Sequence, residues 1–264
     1  MIIVGEKINT SLKNITEAVL NKDSESIRSL AVEQSEQGAD YIDINCGSLI
    51  EKEVELLPWL AETVQSVVDK PCCIDSPNPK ALEAALKVHK GKAMVNSITG
   101  EKDRYGAVAE LVKTYSSAVV CLLMDDEHGM PEDVKTAVGI AGNLITRLQE
   151  EGVPQEDIYV DPLIQPISSS PGKALMVLDT IREIRALFPS VSFMCGLSNI
   201  SYGLPKRSLI NNAFLAMCMA AGLNGAILDP GDRKMMANIK ASEALLARDN
   251  YMQNYLKAYR NGLL

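Results

Sequence analysis

Short apolar runs alternate with amphipathic segments from one end of this chain to the other. The apolar runs predict strands at 2–8, 40–45, 71–75, 93–97, 118–124, 157–161, 191–196 and 225–229. The segments between them carry apolar residues at helical spacing and predict helices at 24–37, 51–68, 79–88, 103–115, 131–150, 171–187, 206–221 and 232–248. The strands are apolar throughout, which is typical of a parallel sheet covered on both faces.

Eight strand–helix units in 264 residues match an α/β fold of the (β/α)8 TIM barrel type with a single domain. A doubly wound open sheet is the alternative, although such sheets more often have about five or six strands. No low-complexity stretch or domain boundary interrupts the pattern, so we assign one barrel domain to residues 1–264. The last residues, 250–264, predict a helical tail on that domain.

Composition excludes several classes of protein. The chain has 26 basic and 34 acidic residues and a net charge of −8, which argues against binding to nucleic acid or to an anionic membrane. No run of about 18 apolar residues predicts a transmembrane helix, and the opening segment is charged too soon for a signal peptide. The six cysteines form no C-x-x-C pair, so neither a disulfide scaffold nor a zinc site is expected. We expect a cytoplasmic protein with reduced thiols.

Three of the predicted strands end in a polar side chain, namely Asp75, Asn96 and Asp161, and the seventh is followed by the segment 196–199 with sequence Gly-Leu-Ser-Asn. In a barrel the carboxyl ends of all strands meet at one face, where active sites are built. An Asp accepts two hydrogen bonds from a pair of N–H groups, and an Asn both donates and accepts. Such a set suits a flat heterocycle that bears amino and N–H donors.

Helix capping is the competing explanation, because Asp and Asn before a turn often cap the next helix. Polar residues near the other strand ends have two possible roles, because each either orients the residues of the site or caps a helix. They are Glu6, Asn9, Asp43, Asn45 and Asp229. Lys206 and Arg207 are basic candidates for the anionic tail of a ligand, or for an ordinary helix surface. The two histidines are isolated, so we expect no metal site.

Several segments together resemble the pterin-binding barrel superfamily. They are Gly38–Asn45 (GADYIDIN), Ile74–Ser76 (IDS), Val95–Gly100 (VNSITG) and Val160–Pro162 (VDP). That superfamily includes dihydropteroate synthase, the folate domain of cobalamin-dependent methionine synthase, and methyltetrahydrofolate:corrinoid protein methyltransferases. A dihydropteroate synthase carries Ser-Arg-Lys after the seventh strand, whereas Gly196–Arg207 (GLSNISYGLPKR) resembles the methyltransferase branch.

The resemblance implies roles for individual residues. It implies that Asp75, Asn96 and Asp161 bind the pterin ring and that Asn199 contacts the N5 atom of that ring. The same loop contributes Gly196 and Ser198 to the pterin site. Asn199 and Asp161 are then the catalytic candidates. The p-aminobenzoyl-glutamate tail would pass Tyr202 and Arg207.

By the same resemblance, we expect an enzyme that moves the N5 methyl group between methyltetrahydrofolate and the cobalt of a corrinoid protein. Folate is then the small-molecule substrate, the corrinoid (cobalamin) is carried by a partner protein, and the chain itself binds no metal. A homodimer through the outer helices is expected as well. A dihydropteroate synthase-like enzyme and a non-catalytic folate-binding module are the alternatives, together with an unrelated barrel whose strand-end residues are caps.

Overall fold

The eight predicted strands form one parallel barrel in the computed structural model, which describes residues 1–264. Each strand pairs with its neighbours in chain order, and β8 returns to pair with β1. A single bridge between Gly196 and Ile227 closes the seam between β7 and β8. The (β/α)8 prediction is therefore confirmed. The strands are β1 (Ile2–Asn9), β2 (Tyr41–Asn45), β3 (Cys72–Asp75), β4 (Met94–Ile98), β5 (Ala118–Leu122), β6 (Ile158–Asp161), β7 (Ser192–Phe193) and β8 (Gly225–Leu228).

Helices surround the barrel, and their apolar faces pack on the outer side of the strands. None of them combines the length and the apolar composition needed to cross a membrane. Short 3-10 helices lie at Gly47–Lys52, Gln155–Asp157, Leu197–Ser201 and Asn250–Met252. The α-helices are α1 (Lys13–Leu20), α2 (Ser24–Glu36), α3 (Glu53–Gln65), α4 (Pro79–Val88), α5 (Lys102–Thr114), α6 (Val134–Glu150), α7 (Lys173–Leu187), α8 (Arg207–Ala221), α9 (Arg233–Leu245) and α10 (Gln253–Arg260).

The apolar interior has two parts, because successive side chains of a strand point to opposite faces. A cluster of 61 buried residues fills the space between strands and helices. A second cluster of only 7 residues lies inside the barrel, among them Val4, Cys73 and Met194. In β3 the alternation is direct: Cys73 faces inward, Ile74 packs outward, and Asp75 again faces inward. The inner apolar layer thus ends below the carboxyl ends of the strands.

Two segments differ from the sequence-based expectation. The helix α1 was not predicted, because its eight residues have no side-chain cap and bury only Ile15 and Val19. Strand β7 is shorter than the predicted 191–196, since it lies at the closing seam of the barrel. Beyond Phe193 the chain pairs by single hydrogen bonds, from Met194 N to Val160 O (3.0 Å) and from Ile227 N to Cys195 O (2.9 Å).

The remaining differences concern element ends. The helix predicted at 131–150 begins at Val134, because Asp133 caps it by accepting a 2.8 Å hydrogen bond from Thr136 N. The strand predicted at 118–124 ends at Leu122. In the predicted tail, α10 covers Gln253–Arg260, and within it only Ala258 is buried.

Candidate active site

Polar side chains from three adjacent strands lie side by side at the carboxyl end of the barrel. Asn45 of β2 is the direct partner of Asp75 in β3, and Asp75 is the direct partner of Asn96 in β4. Asp161 ends β6 on the same face and pairs with Leu122. The side chains of Asp75, Asn96 and Asp161 are half-buried. The strand-end residues that the sequence singled out therefore lie at one end of the barrel.

Asp75 is held in place by its neighbour. The amide Nδ2 of Asn45 donates a 2.7 Å hydrogen bond to Asp75 Oδ2, while Asn45 Oδ1 accepts one of 3.0 Å from Gly47 N. Burial raises the pKa of Asp75 to about 6, although the bond from Asn45 and the charge of Arg104 oppose that rise. The second oxygen of this carboxyl group, Oδ1, accepts no hydrogen bond within the protein.

Asp161 has a different environment. Its Oδ1 accepts a 2.8 Å hydrogen bond from Leu163 N, in a turn where Leu163 adopts a φ of 58°. Burial raises the pKa of Asp161 to about 7, the Leu163 hydrogen bond opposes this rise, and the negative charge of Asp75 adds to it. Two carboxyl groups whose pKa values burial raises thus lie at the same end of the barrel.

The capping alternative fails for these residues. Helix α4, which follows β3, is capped by Asn78, whose side chain accepts from Lys80 N. Helix α7 follows β6 and begins after its N-cap residue Gly172, which lies eleven residues beyond Asp161. The amide of Asn96 makes no hydrogen bond within the protein and does not cap α5, whose N-cap position is Glu101. None of the three side chains caps the helix that follows its strand.

The loop after β7 forms a short 3-10 helix at Leu197–Ser201 that carries Asn199. The Asn199 side chain is exposed and forms no hydrogen bond within the protein. A Cβ atom built on Gly196 would lie 3.6 Å from Asn199 Nδ2. The amide therefore lies over the backbone of Gly196, where the absence of a side chain leaves access to the pocket.

Arg207 contacts this loop directly. Its Nη2 donates a 2.7 Å hydrogen bond to Ser198 O, and its Nε donates one of 3.0 Å to Ser201 Oγ. Ser201 is fully buried. The guanidinium therefore fixes the loop at Ser198 and at Ser201, on either side of Asn199. Its role toward a ligand tail stays a prediction.

Tyr202 lies at the outer edge of the mouth with 67% of its surface exposed. Its carbonyl oxygen accepts a 2.8 Å hydrogen bond from Ser168 Oγ, which links the loops that follow β6 and β7. The contact of Tyr202 with a ligand tail also stays a prediction.

Sequence reasoning missed Arg104, at the start of α5. Its Nη2 donates a 3.0 Å hydrogen bond to Ser76 O, and the guanidinium also donates to Pro77 O and Ser97 O. It thereby holds together the turns after β3 and β4 and places a positive charge near Asp75. In the sequence it is one more basic residue in the first turn of a helix, where no local pattern marks it.

The site contains no activated nucleophile. All six cysteines are buried free thiols, and burial raises the pKa of Cys46, Cys72 and Cys218 to about 12. The polar groups at the mouth are instead hydrogen-bond acceptors and amides. The arrangement is suited to hold a flat heterocycle and to stabilise charge on it, while another reactant attacks.

Sequence comparison agrees with this geometry. A family model described as "Pterin binding enzyme" matches residues 5–229. The chain is 35% identical over 263 residues to a methylcorrinoid:tetrahydrofolate methyltransferase of Eubacterium limosum, covering 99% of this chain and 97% of that protein. It is also 30% identical over 241 residues to methionine synthase of Mycobacterium leprae, a match that covers 86% of this chain but 20% of that protein.

Solved structures share the fold at lower identity. A dihydropteroate synthase of Stenotrophomonas maltophilia superposes with a TM-score of 0.71 over 93% of both chains, at 20% identity. One from Xanthomonas albilineans, in complex with 7,8-dihydropteroate, gives a TM-score of 0.68 at 18% identity. These likenesses extend to the barrel architecture.

Proposed function

Because the chain belongs to the pterin binding enzyme family, we propose that it is a methyltransferase that moves the N5 methyl group between methyltetrahydrofolate and the cobalt of a corrinoid protein. The full-length likeness to a methylcorrinoid:tetrahydrofolate methyltransferase supports this activity. The observation that carries the proposal is the unpaired amide of Asn199 on the loop after β7, at a barrel mouth without an activated nucleophile.

In this proposal the pterin ring lies against the half-buried groups of the mouth. Asp75 and Asp161 accept hydrogen bonds from N–H groups of the ring, and Asn96 both donates and accepts. Gly196 and Ser198 form the wall on the β7 side. The p-aminobenzoyl-glutamate tail leaves the pocket toward Tyr202 and Arg207.

The chemical difficulty is the leaving group. N5 of methyltetrahydrofolate is a neutral tertiary amine, so it must gain a proton or a strong hydrogen bond as the methyl group departs. Asn199, together with Asp161 and water, stabilises the positive charge that develops on N5. The corrinoid substrate supplies the nucleophile, which is consistent with the neutral, buried thiols of this chain.

The proposal includes the assembly in which the enzyme works. The corrinoid is carried by a partner protein that approaches the open mouth of the barrel, and the chain itself holds no metal. Residues 1–264 act as one pterin-binding domain, with the tail at 250–264 attached to it. We also propose a cytoplasmic location and a homodimer through the outer helices.

Methyl transfer to free cob(I)alamin tests the activity. The protein is mixed anaerobically with methyltetrahydrofolate and cob(I)alamin, and the conversion to methylcobalamin is followed by absorbance; the reverse reaction starts from methylcobalamin and tetrahydrofolate. We expect transfer in both directions and a strong loss in the Asp75→Asn variant. Folate binding without transfer to any corrinoid would instead indicate a non-catalytic module. Condensation of pterin pyrophosphate with p-aminobenzoate would indicate a dihydropteroate synthase.

A further inference from the structure

A small cavity with several polar lining residues lies between Glu6 of β1, the 3-10 helix at Leu197–Ser201 and the start of α9. Its volume is about 70 Å³, which is enough to hold water. Asn211 Oδ1 is buried with no hydrogen-bond partner in the protein, so it is available to accept from such water. The polar lining consists of Glu6, Ser198, Asn211, Asp229 and Asp232.

Glu6 connects this cavity with the barrel interior. It lies two positions after the inward-facing Val4, where the β1–β2 register shifts between Gly5 and Ile8, and its carboxyl group makes no hydrogen bond within the protein. Burial raises its pKa to about 7, the negative charge of Asp229 raises it further, and Arg207 opposes the rise. The negative charge of Glu6 raises the pKa of Asp43, a buried residue of β2, so the two carboxyl groups repel each other. Asp232 lines the same cavity.

We propose that Glu6 exchanges the proton of N5 through water held in this cavity, and thereby couples methyl transfer to the solvent. This inference rests on the methyltransferase activity proposed above. Ser198 lines the cavity and is the direct chain neighbour of Asn199, so the cavity lies immediately behind the loop that is proposed to contact N5.

The step balances as follows. N5 binds a proton from water, which takes one from the Glu6 carboxylic acid, and Glu6 becomes a carboxylate. The N5–CH₃ bond of the protonated amine breaks while the electron pair of Co(I) forms the CH₃–Co bond, and the pair of the broken bond stays on N5, which leaves as a neutral secondary amine. Solvent returns the proton to Glu6. In the opposite direction, N5–H of tetrahydrofolate loses its proton to the Glu6 carboxylate through the same water.

Asp161 is less suited to this task. It is engaged by Leu163 N, and it is proposed to accept hydrogen bonds from the pterin ring, for which it must be ionised. Giving up and regaining a proton in each cycle would weaken that grip. Glu6 has no hydrogen-bond partner to lose in either protonation state.

The pH dependence of single-turnover transfer from methyltetrahydrofolate to free cob(I)alamin tests the proposal. In the wild type we expect the transfer rate to fall as the pH rises through about 7, and we call this fall the pH-dependent limb. For Glu6→Gln we expect folate affinity close to that of the wild type and a transfer rate about 10²-fold lower at pH 6. The pH-dependent limb should be lost in this variant. Glu6→Asp keeps a titratable group and should retain both the limb and more of the rate. Asp229→Asn is the matched control, because removing this negative charge should shift the limb to lower pH without abolishing it.

The outcomes separate the relay from the activity on which it rests. A Glu6→Gln enzyme with the rate and pH profile of the wild type would overturn the relay while leaving the methyltransferase proposal intact. A limb that stays in Glu6→Gln and disappears in Asp161→Asn would overturn it as well, by assigning the proton to Asp161. A wild-type protein that transfers no methyl group contradicts the proposed function itself.

Discussion

Asn45 Nδ2 donates a 2.7 Å hydrogen bond to Asp75 Oδ2 across the β2–β3 pair, and the two residues are direct register partners. The bond opposes the pKa rise that burial imposes on Asp75. It engages only Oδ2, and Oδ1 accepts no hydrogen bond within the protein. Asn45 therefore favours the charged form of Asp75 and fixes the orientation of its carboxyl group.

We expect Asn45→Ala to weaken methyltetrahydrofolate binding about tenfold, or by about 1.5 kcal/mol, which is typical for a hydrogen bond to a charged group. The loss should be greater at pH 6 than at pH 8, because the pKa of Asp75 rises without this donor. Titration calorimetry at both pH values measures it. Asn143→Ala, an exposed change on α6, is the control, and equal affinity in the two variants would contradict the role of Asn45.

Asn199→Ala should affect the chemical step more than substrate binding. Its amide has no partner in the protein and is proposed to act on the charge that develops at N5. We expect the transfer rate to fall by about 2–3 kcal/mol, the usual magnitude for one transition-state hydrogen bond, with a much smaller change in folate affinity. Single-turnover rates and calorimetry together measure this; equal losses in both would place Asn199 in ground-state binding.

Arg207→Ala should release the loop that carries Asn199, because it removes the hydrogen bonds to Ser198 O and Ser201 Oγ. At about 1 kcal/mol for each bond, we expect the transfer rate to fall by about tenfold or more. A loop effect lowers the rate equally with methyltetrahydrofolate and with 5-methyltetrahydropterin, which lacks the tail. A loss confined to the folate would support the tail contact instead, and Lys206→Ala is the adjacent control.

The pKa of Asp161 determines a pH dependence of stability. Since its pKa is raised to about 7 in the fold, the folded ligand-free protein binds more protons than the unfolded chain between about pH 4 and pH 7. The stability that Asp161 contributes in its neutral form is complete below about pH 4 and is lost as the pH rises through 7.

Asp161→Asn should therefore stabilise the ligand-free protein above pH 7, at about 1.4 kcal/mol for each unit of pKa difference, and this gain should vanish near pH 4. Urea unfolding at pH 4, 6 and 8 measures the effect. The control is Asp69→Asn, which changes an exposed carboxylate. Parallel pH profiles for wild type and Asp161→Asn would contradict the assignment, and the same variant should bind folate more weakly.

Gly225→Ala tests the seam that closes the barrel. A Cβ atom at this position would lie 2.6 Å from Met194 Cε and 2.9 Å from Phe193 O. Overpacking of this kind destabilises by about 1–3 kcal/mol, and we expect a loss of that size in chemical unfolding. Gly139→Ala in α6 meets no atom within 4 Å and should be neutral or stabilising by up to about 1 kcal/mol.

The sequence by itself determined the barrel and the identity of its mouth residues. Continuous apolar runs separated by helical segments are a local signal, and eight of them admit few architectures. Because the side-chain period of a strand is two, Asp75 must share the face of Cys73. Parallel strands then bring Asp75, Asn96 and Asp161 to one end of the sheet.

Only the tertiary structure decided how these groups are held and charged. Asn45 and Asp75 are 30 residues apart in the chain, and Arg207 reaches back to the loop that carries Asn199. The cavity behind Glu6 exists only because β1, β8 and two helices meet around it. Such contacts, and the proton affinities that burial sets, arise when barrel closure brings distant segments together and excludes water, and no local pattern of residues encodes them.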